Sequence, residues 1–251
     1  MARALILSGG GSKGSFQTGA IKFLAEQEIT WDIISGVSVG ALNAAFISQY
    51  SRSKQLDGAL ALFNLWNSLK GNGDIYKPHS LGIVGRLIEG GYYSIKPLKE
   101  LIENNISMEK LLSSEVKFYT GAISCTTGEF RCVSKEHANI HDWIMASSAF
   151  PVAFPPVHID EDTWTDGGLG KYSSLEEILL LHPEIDIIDF ISTDSTTSIT
   201  HTPENIKINI YCPEKPLTTK ALNFSPQKIK VNMQLGYEDT KREFEKNKTS
   251  I

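Results

Sequence analysis

Residues 33–47 read IISGVSVGALNAAFI, an apolar run followed by a glycine-rich turn and an alanine-rich helical pattern. The turn is a G-x-S-x-G pentapeptide made of Gly36, Val37, Ser38, Val39 and Gly40. A serine on so tight a turn has strained backbone, and the flanking glycines let neighbouring chain pass without Cβ clashes. The pattern predicts a hydroxyl at the carboxyl end of a strand, beside the positive end of a helix, where an oxyanion is favoured. Taken alone, the pentapeptide is equally consistent with a plain turn of small residues.

An earlier strand, loop and helix pattern carries a second glycine cluster. The apolar run at residues 4–7 leads into a loop, and a helical pattern follows at residues 15–26. The loop consists of Gly9, Gly10, Gly11, Ser12, Lys13 and Gly14. As a G-x-G-x-x-G sequence it is consistent with a dinucleotide site, although Asp32 precedes the next strand and does not end it, as a ribose-binding acid would. Its bare N–H groups would also suit an oxyanion hole.

The rest of the chain continues the alternation of strands and helices. Residues 54–112 are mainly helical in pattern and are expected to cover one side of the sheet. Residues 115–124 and 129–134 predict a β-hairpin, and prolines between residues 151 and 156 predict irregular, extended backbone. Further helices are predicted at residues 140–148, 175–181 and 227–248, and further strands at 185–191 and 206–211. The continuously apolar strands predict an α/β fold with a mainly parallel sheet buried on both faces.

Length and composition exclude several classes of protein. The 251 residues carry a net charge of −5, with 41% hydrophobic and 21% charged residues, which is typical of one globular domain spanning residues 1–251. An acidic chain repels nucleic acid, so no nucleic-acid partner is expected. No stretch predicts a membrane span or a signal peptide. The cytoplasm is therefore the expected location, although secretion without a cleaved signal would leave no mark.

The cysteines and histidines form no metal-site pattern. Cys125, Cys132 and Cys212 lack ligand spacing and are expected to be buried free thiols. His137 and His141 are four residues apart, as on one face of a helix, but no acid of the HExxH type lies between them. We therefore expect neither a metal nor a cofactor.

A third signal, Asp166-Gly167-Gly168, is by itself a common turn. Before it, residues 146–157 read ASSAFPVAFPPV. The glycine loop, the G-x-S-x-G turn, this A-S-x-A-x-P-x-x-F-P-P segment and the D-G-G together resemble the patatin-like phospholipase family over residues 4–169. The resemblance implies a three-layer α/β/α fold with a mainly parallel central sheet. After the D-G-G the chain continues LGKYSSL, where many relatives carry Asn and Pro, a departure that concerns the wall of the substrate groove.

The resemblance also implies an activity and roles for particular residues. It implies a phospholipase A-type lipid acyl hydrolase in which Ser38 is the nucleophile and Asp166 the base of a dyad without histidine. Gly10 and Gly11, with Ser12 beside them, would supply oxyanion-hole amides from the glycine loop. Lys13 stands where relatives carry Arg or Lys, either as a solvated charge or as positive potential near a lipid headgroup.

Partners and substrate contacts follow from the same resemblance. The expected partners are a lipid ester and, transiently, a membrane surface. Residues 150–157 are expected both to line an acyl-chain groove and to contribute to the core. Because no EF-hand pattern is present, we expect calcium-independent activity.

Three other functions remain open from the sequence. One is an ordinary α/β-hydrolase with a Ser-Asp-His triad, for which His182 or His201 follows Asp166 in the required order. Another is a non-catalytic nucleotide binder that uses the glycine loop. A third keeps the dyad but transfers the acyl group to an alcohol or a thiol.

Overall fold

The computed structural model describes residues 1–80, 82–169, 173–199, 203 and 205–249. The strands in these ranges are β1 (Ala2–Leu7), β2 (Ile33–Gly36), β3 (Lys77–Pro78), β4 (Tyr93–Ser94), β5 (Lys117–Ser124), β6 (Phe130–Ser134), β7 (Val157–Ile159), β8 (Asp162–Asp166), β9 (Ile185–Ile191) and β10 (Lys207–Tyr211). The α-helices are α1 (Gly14–Glu26), α2 (Val39–Ser48), α3 (Gln55–Ser68), α4 (Gly82–Glu89), α5 (Lys96–Asn105), α6 (Met108–Ser113), α7 (Ile140–Ser147), α8 (Leu175–Leu181) and α9 (Pro226–Thr249).

The central sheet has the strand order β10-β9-β1-β2-β5-β8-β7, and β6 pairs with β5 outside this path. The pairs from β10 through β5 are parallel, whereas β6, β7 and β8 pair antiparallel. The predicted α/β class with a mainly parallel sheet is therefore confirmed. The strand order reverses direction between β1 and β9, since the chain leads from β1 to β2 on one side and from β9 to β10 on the other. In open α/β sheets the carboxyl ends at such a point form a crevice.

Alternation along β1 divides the apolar residues between two faces of the sheet. Leu5 and Leu7 belong to a large core that includes residues of α1, α2, α3, α7 and α9. Ala4 and Ile6 belong to a second core, which includes Leu175 and Ile178 of α8. Because successive side chains of a strand point to opposite faces, one fully buried strand supports both layers. The result is the three-layer α/β/α arrangement that the family resemblance implied.

The short elements differ most from the predictions. Within the helical stretch at residues 54–112, β3 and β4 form a small antiparallel pair. The proline-rich segment at residues 151–156 is irregular as predicted, but β7 and β8 then form an antiparallel hairpin at the sheet edge. The three free cysteines are not buried as expected, since Cys125 is exposed and the other two are half-buried. His137 lies before α7, so it does not share a helix with His141.

Strand register brings the G-x-S-x-G turn and the D-G-G to the same level of the sheet. Gly36 at the end of β2 is paired with Thr120 of β5, and Asp166 at the end of β8 is paired with Ala122. Ser38 lies two residues beyond Gly36, just as Ala122 lies two residues beyond Thr120. The two side chains are therefore delivered to one height at the carboxyl edge of the parallel strands. Among the described residues, no helix is both long and apolar enough to cross a bilayer.

Candidate active site

Ser38 stands between β2 and α2 with backbone angles φ 56° and ψ −133°, a conformation that non-glycine residues rarely adopt. The flanking glycines make this turn possible. A Cβ on Gly36 would lie 2.2 Å from the Gly40 carbonyl oxygen, and a Cβ on Gly40 would lie 2.5 Å from the Leu7 carbonyl oxygen. Each contact is far shorter than a carbon and an oxygen tolerate, so both positions require glycine.

Two serines of the α7 end hold the backbone of Ser38. The Ser38 N–H donates to Ser147 Oγ at 3.0 Å, and the Ser148 hydroxyl donates to the Ser38 carbonyl oxygen at 3.3 Å. Sequence reasoning placed both residues in a family motif but gave them no role. The only signal in the sequence was their position in the motif, at the end of a helix just before the prolines. These hydrogen bonds stabilise a strained turn that is buried away from water.

Asp166 lies 3% exposed at the end of β8 and accepts a hydrogen bond from the Ser38 hydroxyl, with Oγ and Oδ2 2.7 Å apart. Its other oxygen, Oδ1, accepts from the Gly168 N–H at 2.7 Å. Burial raises the pKa of the Asp166 carboxyl from its ordinary value of 3.8 to about 6, against the opposing effect of these two hydrogen bonds. The result is a carboxylate that is ionised at neutral pH but more basic than an exposed aspartate.

The glycine loop passes directly beside Ser38. A Cβ on Gly9 would lie 3.1 Å from Ser38 Cβ. The loop is kept in place by Thr193, whose hydroxyl donates to the Gly9 carbonyl oxygen at 2.7 Å and whose N–H donates to Ser8 Oγ at 3.0 Å. Gly10, with φ 145°, packs so closely that a Cβ there would lie 2.4 Å from Thr193 Oγ1. Thr193 was missed from the sequence, because nothing in its neighbourhood marks it as a contact of residues 9 and 10.

The amides of the loop are not equally available. The N–H of Ser12 donates to Ala221 O at 2.7 Å, that of Lys13 donates to Gly10 O at 3.2 Å, and the Gly14 N–H is also bonded within the loop. In the described part of the chain, the N–H groups of Gly9, Gly10 and Gly11 have no acceptor. Of the six loop residues predicted around an oxyanion hole, three therefore keep an N–H group that is free to donate, and their role stays a prediction.

A cavity of about 430 Å³ opens beside the Ser38–Asp166 pair. One end is formed by the glycine loop and by residues 192–194. The rest is apolar and is lined mainly by side chains from α2, α3 and α5, among them Leu42, Phe46, Leu62, Trp66, Leu98 and Ile102. Of the segment 150–157, Phe150 and Phe154 line the cavity.

Histidine does not take part in this arrangement within the described ranges. His182 is directed elsewhere, since its Nε2 hydrogen-bonds Tyr119 Oη and its Nδ1 hydrogen-bonds Glu184 Oε1, both at 2.8 Å. No histidine is found among the residues described as lining the cavity. The triad hypothesis is thus not supported through His182, and His201 lies outside the described residues. Gly170, Lys171 and Tyr172, which follow the D-G-G, lie outside them as well.

The fold and the site define a class of protein: a three-layer α/β protein with a serine on a strand-to-helix turn, bonded to a buried aspartate beside a glycine loop. The family profile described as patatin-like phospholipase matches residues 5–174. The chain belongs to this family.

Individual relatives resemble the chain over different lengths. Over 69 residues it is 39% identical to "Lysophospholipase nte1" of Aspergillus terreus, and equally so to the protein of that name from Aspergillus oryzae. These matches cover 25% of this chain and only 4% of either relative. The crystal structure of VipD from Legionella pneumophila has a TM-score of 0.53 at 12% identity, covering 98% of this chain and 67% of VipD. That similarity is one of fold.

Proposed function

We propose that the chain is a phospholipase A-type lipid acyl hydrolase that works through a Ser38–Asp166 dyad and an acyl-enzyme intermediate. The observation that carries the proposal is the 2.7 Å hydrogen bond from Ser38 Oγ to a buried carboxylate at one end of an apolar cavity. A serine hydroxyl is a poor nucleophile near neutral pH, so it needs a base within hydrogen-bond reach. The carboxylate of Asp166 is in that position and is made more basic by burial.

The first half-reaction forms the acyl-enzyme. As Ser38 Oγ attacks the ester carbonyl carbon, its proton passes to Asp166 and the carbonyl oxygen becomes an oxyanion. The N–H groups of Gly10 and Gly11 are the proposed donors to this oxyanion. When the tetrahedral intermediate collapses, the bond to the leaving alcohol oxygen breaks, and Asp166 returns the proton to that oxygen.

The second half-reaction releases the fatty acid. Water attacks the acyl-enzyme carbonyl carbon while Asp166 takes a proton from it, and a second oxyanion forms at the same amides. Collapse of this intermediate breaks the bond between the acyl carbon and Ser38 Oγ, which recovers the proton from Asp166. The apolar wall from α2, α3 and α5 is the proposed site of the acyl chain, because burial of methylene groups there is favourable by about 0.8 kcal/mol each.

Residues 1–251 are proposed to form one domain. The C-terminal helix α9 packs against α1 with almost no gap, since a Cβ on Gly19 would lie 1.9 Å from the Met233 carbonyl oxygen. A Cβ on Gly236 would lie equally close, 1.9 Å, to the Phe16 carbonyl oxygen. Two helices from opposite ends of the sequence thus share one interface over the large core.

Labelling with a fluorophosphonate tests the proposed function. Intact-mass measurement should show one adduct on the native protein, none on Ser38→Ala, and an unchanged adduct on the surface control Ser53→Ala. The reagent mimics the tetrahedral intermediate, so it reports both an activated serine and an oxyanion hole. An unlabelled native protein, or a label that persists in Ser38→Ala, would contradict the proposal.

The pH dependence of hydrolysis follows from the environment of Asp166. The base must be ionised to accept a proton, and burial raises its pKa to about 6. We therefore expect kcat/KM for a short neutral ester to be about tenfold lower at pH 5 than at pH 8, with one acid limb near pH 6. Thermal unfolding at both pH values serves as the control. An acid limb near pH 4, or activity that is flat down to pH 5, would argue against Asp166 as the base.

Ser147 is proposed as a positioning residue. Its hydroxyl accepts the Ser38 N–H, and loss of that acceptor leaves a buried donor unsatisfied, at a cost of about 1–3 kcal/mol. We expect Ser147→Ala to lower kcat by roughly tenfold with little change in KM, and Ser147→Thr to restore much of it. Ser48→Ala is the matched control, because the buried Ser48 hydroxyl has no hydrogen-bond partner among the described residues. Equal losses in both variants would mean that Ser147 has only a structural role.

A further inference from the structure

Three ionisable side chains line the cavity in the described part of the chain, those of Lys13, Asp166 and Asp194. Asp166 is already bonded to Ser38. The positive charge of Lys13 and the negative charge of Asp194 therefore remain available to a ligand, and together they add no net charge to the cavity.

The two remaining charges both lie at the glycine loop, one within it and one beside it. Lys13 ends the short 3-10 turn Gly11–Lys13, next to the free Gly11 amide. Asp194 follows Thr193, which is hydrogen-bonded to Gly9. The cavity thus has a charged end at the loop and an apolar end against α2, α3 and α5. An ester whose carbonyl oxygen reaches the loop amides places its acyl chain toward the second end and its headgroup toward the first.

The carboxylate of Asp194 is fixed in place, with one oxygen left for a ligand. Its Oδ1 accepts from the N–H and from the hydroxyl of Thr196, each at 2.9 Å, and its own N–H donates to Ser192 Oγ at 3.1 Å. Within the described ranges Oδ2 has no hydrogen-bond donor. The Thr196 hydrogen bonds, with a smaller contribution from the Lys13 charge, hold the pKa of Asp194 below its ordinary value. Asp194 is therefore ionised at neutral pH and lies within electrostatic range of Lys13. Among the residues that the structure describes, neither group forms an ion pair.

We infer, on the basis of the proposed function, that Lys13 and Asp194 form a subsite for the headgroup of a zwitterionic phospholipid. Lys13 binds the phosphate and Asp194 Oδ2 receives the ammonium group. A flexible, strongly hydrated ammonium suits phosphate as a point charge, and a preoriented carboxylate suits a cation.

The same pair of charges disfavours other lipid esters. A headgroup that carries phosphate but no cation leaves Asp194 unpaired and repelled. A neutral glyceride leaves both charges partly desolvated without a partner, which costs free energy. Selectivity therefore comes from repulsion as well as from attraction.

Hydrolysis of matched lipids in mixed micelles of a non-ionic detergent tests the inference. The probes are phosphatidylcholine, phosphatidylglycerol and diacylglycerol with the same acyl chains, and the readout is the ratio of their kcat/KM values. We expect the native protein to prefer phosphatidylcholine over phosphatidylglycerol by roughly tenfold. Asp194→Asn should abolish or reverse that preference, because its Oδ1 keeps the Thr196 hydrogen bonds while the charge is lost. Lys13→Met should lower kcat/KM for both phospholipids toward the value for diacylglycerol.

Matched controls separate a local effect from a change in overall charge. Glu238→Gln and Lys241→Met, at exposed positions of α9, remove the same charges outside the cavity lining and should leave the ratios as in the native protein. The inference would be overturned if Asp194→Asn kept the native ratio of kcat/KM for phosphatidylcholine over phosphatidylglycerol while its Tm equalled that of the native protein. Absence of any hydrolysis and of a fluorophosphonate adduct in the native protein would instead contradict the proposed function itself.

Discussion

Ser38→Ala should lower kcat/KM for a short neutral ester by about 10⁴-fold or more, since the covalent intermediate can no longer form. Asp166 acts only through that hydroxyl and through the water that later replaces it. The double variant Ser38→Ala with Asp166→Ala should therefore be no more than a few fold worse than Ser38→Ala alone. Initial rates with p-nitrophenyl butyrate measure both quantities, and Ser53→Ala serves as the surface control.

Ser38→Gly extends this first experiment to stability. The positive φ of 56° is readily adopted by glycine but costs other residues about 1–2 kcal/mol. We expect Ser38→Gly to be as inactive as Ser38→Ala but to have a higher Tm than Ser38→Ala. Residual activity above a few per cent of native in either variant would show that another group is the nucleophile.

Asp166→Asn should lower kcat by about 10²–10⁴-fold, because an amide cannot accept the serine proton. It should also make stability less dependent on pH. Burial raises the pKa of the Asp166 carboxyl to about 6, from an ordinary value of 3.8 that applies to the unfolded chain. The native state therefore binds this proton more tightly, so the contribution of Asp166 to stability is greatest below pH 3.8 and is lost as pH rises through about 6. Asparagine does not ionise and avoids this loss.

Denaturant unfolding of the two proteins measures the difference. The advantage of Asp166→Asn over the native protein should increase by about 2 kcal/mol between pH 4 and pH 8. A variant that loses activity but shows the same pH dependence of stability as the native protein would mean that Asp166 is not titrating near pH 6. A variant that keeps most of its activity would remove Asp166 from the mechanism.

Much of the fold could be predicted from the sequence, because its long elements have clear periods. The apolar runs of β1, β2, β9 and β10, and the alternating hairpin of β5 and β6, lie where the pattern predicts them. The very short strands could not be found in this way. In β8, which reads DTWTD, Trp164 is the only large apolar residue, so the pattern gives no more than a weak indication of a strand.

In the candidate site, too, some features could be predicted from the sequence and others could not. Local turns are visible in the sequence, because Gly36, Gly40 and the glycine loop leave a strong compositional mark. Contacts made across the chain are not. The hydrogen bond from Ser38 to Ser147 and that from Thr193 to Gly9 span more than a hundred residues, and ordinary serines and threonines carry no sign of them. The roles of Ser38, Asp166 and the loop amides in chemistry stay predictions until the variants are measured.

The position of β5 between β2 and β8 has a consequence for how this protein can change. The serine and the carboxylate are carried by two neighbours of one strand and by no common loop, so their spacing is a dimension of the sheet. Loops around the cavity can lengthen, shorten or exchange sequence without altering it. A shift of β5 against β2 by a single residue would leave the sequence of every motif unchanged. It would nevertheless displace the aspartate relative to the serine by about 3.3 Å.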